Sequence, residues 1–177
     1  MGSSPTRLIG DIMNIFVLDE SPEEAARMQC DKHVVKMILE SGQMLCSIWP
    51  DGRAPYKRAF YNHPCTKWVR ESQANYFWLW CHAMELCREY TRRYGKTHAT
   101  EDVIRWCSMG TRWFYEKEVS IMFDHETLTP FAQAMPDEYR VEGDAVQAYR
   151  NYYIGEKARI ATWKEPSLIP EWFNEAV

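Results

Sequence analysis

Asn14-Ile15-Phe16-Val17-Leu18 opens the first apolar run and reads as a short strand-like element ending at Asp19-Glu20-Ser21-Pro22. Ser21 offers a hydroxyl cap, Pro22 suits a first helical turn, and Glu23 and Glu24 place acids near its positive end. The helix that starts there is expected to run to about Ile48, before Pro50-Asp51-Gly52. A second start lies at Asn62-His63-Pro64; Cys65 to Tyr94 contains no Gly or Pro, and Gly95 supplies the stop. A third helix is expected from about Thr100 to Lys117. Residues 120–142, with Pro130 and Pro136, read as a long loop. A fourth helix should start near Asp144, with Gly155 weakening its middle and Pro166 and Pro170 ending regular structure. The expected class is all-α, a compact bundle of about four main helices with a long loop before the last and at most a minor strand.

On a helical wheel of residues 22–48, Met28, Val35, Ile38, Leu39, Gly42 and Leu45 gather on one side as a core stripe. Gln29, His33, Lys36, Glu40 and Gln43 form a polar stripe on the other. It reads either as a solvated face or as a row of ligand contacts, with His33 able to exchange a proton near neutral pH. Asp31 falls at an apolar angle. A buried carboxylate needs a cation or several donors, so Asp31 is either half of a structural ion pair with an Arg of another helix or a site carboxylate. In the second helix Trp68, Tyr76, Phe77, Trp78, Leu79 and Trp80 read mostly as core.

The composition narrows the function classes. The chain has 177 residues and a net charge of −4, with 21 Lys plus Arg against 25 Asp plus Glu. It is long enough to bury a core, and residues 13–177 are expected to form a single helical domain. Any nucleic-acid surface must be a local patch, because counterion release needs clustered cations. Eight Trp, ten Tyr and seven Phe can fill a core or stack on flat ligands. No membrane-spanning run and no secretory signal stands in the sequence, and residues 1–12 read as a polar extension. Six cysteines without a signal read as reduced thiols, which favours the cytoplasm.

Positive charge gathers in two places. Arg88, Arg92, Arg93 and Lys96 close the second helix, where they either complement its dipole or bind phosphate. Tyr149, Arg150, Tyr152, Tyr153, Lys157, Arg159 and Trp163 interleave aromatics with bases, a mixture that suits phosphate contact with stacking or a snorkelling core helix. No Gly-rich phosphate loop, serine elbow or paired CxxC is present, and no metal or cofactor is expected.

Four longer motifs carry a family likeness: Asp31-Lys32-His33-Val34-Val35-Lys36-Met37, Asn62-His63-Pro64-Cys65, Pro130 to Tyr139, and Tyr149 to Lys157. From Met13 onward the chain resembles a family of small tailed-phage proteins. Its layout is also similar to the phage pyrimidine-dimer DNA glycosylases of the endonuclease V type. That resemblance implies a small all-helical protein that flips a nucleotide and cuts the glycosidic bond, then the backbone. It implies an attacking N-terminal amine, a glutamate on a long first helix, a later His at a helix start (here His63-Pro64), and an aromatic-basic tail. The stretch corresponding to the glutamate reads Lys32-His33. Asp31, Lys32 and His33 are therefore the expected reactive group, with Lys32 as imine-forming amine or His33 as general acid.

The leading expectation is a DNA-acting protein that processes a damaged or modified base. Lys36, His63, Arg92, Arg93, Lys96, Arg150, Lys157 and Arg159 would contact phosphates, with Tyr152 and Tyr153 against bases. The alternatives are a non-enzymatic protein that captures a small nucleotide, which the negative net charge suits, and a module that binds a host protein through exposed aromatics.

Overall fold

Capping side chains stand where the helices begin. The computed structural model describes residues 13–113 and 126–177. The expected extension over residues 1–12, the expected end of the third helix at Lys117 and the start of the loop at 120–125 lie outside the described residues. Helix α1 (Pro22–Met28) is capped by the Ser21 hydroxyl, which accepts from the Glu24 amide. The others are α2 (Asp31–Cys46), α3 (Pro64–Glu71), α4 (Gln73–Tyr94), α5 (Glu101–Trp113), α6 (Ala145–Tyr152) and a short α7 (Glu171–Asn174). His63 Nδ1 caps α3, and Asp144 caps α6 by accepting from the Gln147 amide. Gly95 ends α4 at φ 68°, the left-handed conformation that glycine adopts without penalty. Regular structure among the described residues is helical, and the class is all-α.

The two long helices expected from the sequence are each broken once. Gln29 and Cys30 are extended between α1 and α2. The Gln29 carbonyl accepts from Arg93 and the Asp31 amide donates to Thr162, so tertiary partners replace helical ones. Ser72 separates α3 from α4, and its hydroxyl caps the new helix by accepting from the Asn75 amide. The Asn75 side chain in turn binds the Trp68 carbonyl and the Thr129 hydroxyl. Neither break contains Gly or Pro, and so neither shows in the pattern. Two further departures lie near the C-terminus. The fourth helix passes from α6 into a π-helical turn over Tyr153–Lys157, and α7 forms after Pro170. Gly155 lies in that turn because the Tyr139 ring occupies the place of a β-carbon.

The expected strand is also corrected. Residues 13–18 are a fully buried, non-helical segment that turns at Phe16, where the Leu18 amide donates to the Phe16 carbonyl, with no strand pairing among the described residues. They enter the core that α2, α4 and α6 share, with Met37, Ile38, Leu79, Tyr149, Tyr152 and Tyr153 all buried. Helix α4 packs against α1, α2, α3 and α5 and is the central element. None of the described helices is long and apolar enough to cross a membrane.

Arg93, on α4, ties down the first break. Its side chain has no exposed surface. It bridges Asp31 at 3.1 Å and Glu89 at 3.0 Å and donates to the carbonyls of Gln29 and Arg27. Removing one partner of such a buried group leaves uncompensated charge. Arg93→Ala is expected to lower the unfolding free energy by about 3–5 kcal/mol in urea titrations. Arg92→Ala, which breaks only surface pairs, should cost less than about 1 kcal/mol. Equal costs would contradict this assignment.

Candidate active site

Part of the polar stripe of α2 faces inward, while Lys36 is exposed and Gln43 half-buried. Gln29, His33 and Glu40 are buried, whereas Val35 and Leu39 of the expected apolar stripe are exposed. What the stripe meets is the segment 13–18. Gln29 Nε2 donates to the carbonyls of Ile15 and Phe16. Phe16 adopts φ 57° and lays its ring on the His33 imidazole, with centroids 4.1 Å apart. Asn14 donates its backbone N–H to Glu40 Oε2 at 2.9 Å and its side-chain amide to the Ala134 carbonyl at 2.8 Å. The other oxygen, Oε1, pairs with Lys36 Nζ at 3.1 Å. One carboxylate thus stands between two nitrogens, one from the buried segment and one from its own helix.

The electrostatics follow from burial. Desolvation raises the Glu40 carboxyl above its ordinary value, and the nearby Lys36 ammonium opposes part of that rise. A carboxyl moved toward neutrality this way can both give and take a proton. His33 is pushed down to about 3 by burial first, then by the positive charges of Lys157 and Lys36, so its imidazole is neutral. Its Nδ1 lies 2.5 Å from the Tyr153 hydroxyl. The Cys30 N–H donates to that hydroxyl, which leaves the Tyr153 proton free to bond the imidazole. Burial likewise raises the Tyr153 phenol well above its usual range. His33 and Tyr153 therefore support the site from behind; neither is poised to titrate near neutral pH.

The structure does not bring Asp31, Lys32 and His33 together. Asp31 is held by Arg93, the structural ion pair that was one of its two readings. Lys32 is exposed, and His33 points into the core. Several expected phosphate and base contacts are corrected too. Arg93 is spent on internal partners, and Tyr152 and Tyr153 are wholly buried. Lys157 is buried with its ammonium 4.6 Å from the Tyr152 ring centroid. Arg150 binds the Leu18 carbonyl and Asp19. The interleaved aromatic-basic tail is thus mainly a core helix that holds the 13–18 segment. His63 serves as the α3 cap and Arg92 pairs with Glu89 and Glu165. Lys96 and Arg159 are exposed, and Lys36 stands at the Glu40 carboxylate. Asn14 and Glu40 were absent from the expected site. The signal that pointed to them was the i,i+4 spacing of Lys36 and Glu40 on a stripe whose partner the pattern could not name.

The residues that build this arrangement, from Met13 through α2, α3 and α4, fall in one recognisable block. The family model of pyrimidine dimer DNA glycosylase matches residues 13–102, just over half of the chain. The chain belongs to this family. No curated protein and no solved structure matches it. The pyrimidine dimer DNA glycosylase match begins at Met13, one residue before the amide that Glu40 holds, and covers Lys36, Glu40 and His33.

The two buried imidazoles give a pH test. His82 is fully buried, stacks on Trp78, and is also pushed down to about 3 by burial. A neutral imidazole in the fold, set against one that protonates near 6.5 when unfolded, costs stability as pH falls below about 6.5. Between pH 7 and 5 each should remove roughly 2 kcal/mol, while the raised Glu40 pulls in the opposite direction. Proton NMR should find the His33 and His82 ring signals unmoved over this range. A midpoint near 6.5 for either would contradict the burial argument.

Proposed function

We propose that this protein is a DNA glycosylase that acts on a damaged base, with its chemistry centred on Glu40. The observation that carries the proposal is the buried carboxylate held between the Asn14 nitrogen and Lys36 Nζ, in a chain of the pyrimidine dimer DNA glycosylase family. The family resemblance implies an attacking amine and a helix-borne glutamate, and Glu40 with its two nitrogen neighbours supplies that pair. In the full chain the Asn14 nitrogen is an amide. A chain opened just before Asn14 would place its α-amine against Glu40. Lys36 offers a second nitrogen, held as an ammonium beside Glu40, which becomes a nucleophile after giving one proton to solvent; its side chain is 53% exposed. Asp31 and Lys32 take positioning and surface roles in this reading, and Lys96, Arg92 and Arg159 remain proposed phosphate contacts.

The reaction then runs as follows. A neutral amine bonds to C1′ of the damaged nucleotide as the bond from C1′ to the base nitrogen breaks, and the electron pair leaves on the base. The nitrogen gives its surplus proton to Glu40, which returns it to the ring oxygen as the sugar opens to an imine. Loss of a C2′ proton and departure of the 3′ phosphate then cut the strand. Capture of a small nucleotide, the other partner expected from the sequence, has no observation of its own in its favour.

Incision of a duplex carrying one pyrimidine dimer, against the undamaged duplex, tests this reading. Glu40→Gln should keep the hydrogen bond from Asn14 while lowering the incision rate by about 10²–10⁴-fold. Circular dichroism confirms that the variant is folded. A folded Glu40→Gln protein that cuts at the full rate would remove Glu40 from the chemistry, and a wild-type chain that cuts neither duplex would remove the glycosylase assignment.

A further inference from the structure

Between α2 and α3 lies a loop, residues 50–63, that the site has not absorbed. Phe60 is 51% exposed and adopts φ 47°, a left-handed conformation that a non-glycine residue holds at a cost. Tyr61 beside it is 38% exposed, and its ring lies under two guanidinium groups, Arg70 at 3.6 Å and Arg58 at 4.7 Å. Arg58 also donates to the Trp49 carbonyl, and Arg70 to the Tyr61 carbonyl and the Ser47 hydroxyl. The loop is therefore fastened to the C-terminal end of α2, with Phe60 projecting from it.

The loop carries more positive than negative charge. Arg53 and Lys57 are exposed and have no ion-pair partner among the described residues. From residue 50 to 72 the chain carries five Lys and Arg against Asp51 and Glu71, although the whole chain is acidic. An exposed aromatic ring on a loop whose chain carries a local excess of cations is complementary to a polyanion with stacked flat groups. The loop also lies close to the proposed chemistry. Three residues after Phe60 the chain caps α3, and Thr66 in its first turn donates to Met13 Sδ at 3.2 Å, next to Asn14. Ser47 lies seven residues beyond Glu40, about 10 Å along the chain direction of α2, or about three base steps of a strand.

We propose that the 50–63 loop is a duplex wedge: Phe60 inserts between stacked bases while Arg53 and Lys57 hold the flanking phosphates, and Arg58, paired with Asp51 and bound to the Trp49 carbonyl, holds the loop in place. This rests on the DNA-acting reading above and adds to it the element that opens the helix. An inserted side chain unstacks a base step, which is what a nucleotide must undergo to leave the duplex.

The probe is a 24-base-pair duplex with a tetrahydrofuran abasic analogue and 2-aminopurine next to it. Anisotropy measures binding and 2-aminopurine emission measures unstacking. The wild-type chain should raise the emission on binding. Phe60→Ala should abolish the rise and weaken binding about tenfold, whereas Phe60→Trp retains both. Because Phe60 is largely exposed, both variants should keep the wild-type melting temperature. The Arg53→Ala/Lys57→Ala double variant should lower the slope of log K against log salt by about 1.8 and keep the emission rise at saturation. A folded Phe60→Ala protein that binds and unstacks like the wild type overturns the wedge while leaving DNA binding intact. No wild-type binding even at low salt overturns the wedge together with the DNA reading beneath it.

Discussion

The structure depends on burying a non-helical stretch of backbone that no strand among the described residues pairs with. Residues 13–18 run through the core, where an unpaired peptide group costs about as much as a lost hydrogen bond. Side chains take over the work of a sheet. Gln29 serves the carbonyls of Ile15 and Phe16, Arg150 that of Leu18, and Asn14 folds its own Oδ1 back onto the Ile15 and Phe16 amides. Glu40 takes the Asn14 amide. This demand explains why α2 turns His33 and Glu40 inward, why Gln29 leaves helical geometry, and why α6 carries an arginine toward Leu18.

The same demand tunes the Glu40 carboxyl. A glutamate recruited to satisfy a buried amide is desolvated by that role, and its carboxyl moves toward the protonated form. Lys36, one turn earlier on the half-exposed side, compensates the charge and adds an amine. Behind them, Phe16, His33 and Tyr153 form a rigid aromatic wall in which the neutral imidazole bonds the phenol. Fold stability and a tuned carboxyl thus come from one set of contacts, and Arg93 anchors the turn from which α2 begins.

Much of the helical layout was legible in the chain. The caps Ser21, His63 and Asp144 and the stop Gly95 stand where local chemistry requires them. The breaks at Gln29 and Ser72 were not, because they are imposed by Arg93, Thr162 and Thr129, which are distant in sequence. For the same reason the wheel of α2 was right for Ile38, Gly42 and Leu45, which are buried, and wrong for Val35 and Leu39, which are exposed, and it did not show that His33 and Glu40 are buried. Periodicity separates polar from apolar sides, but it cannot reveal that a polar side is buried when its partner is a backbone. Glu40 was visible on the stripe, but its contact with the Asn14 amide was not, and the proposed chemistry lies about two turns beyond Asp31 to His33. The aromatic-basic tail showed the opposite error: its tyrosines interleave with bases, yet they fill the core. The exposed counterpart, Phe60, sits in the same loop as Arg53 and Lys57, where no periodicity directs attention.

The most direct test of the central claim is to trap the reaction and find the atom that reacted. The protein is incubated with an abasic-site duplex and sodium borohydride, and the adduct is digested for peptide mass spectrometry. The sugar remnant is expected on a nitrogen beside Glu40, either Lys36 Nζ or an α-amine at Asn14. A remnant on Lys32, or on any lysine distant from Glu40, would contradict the account.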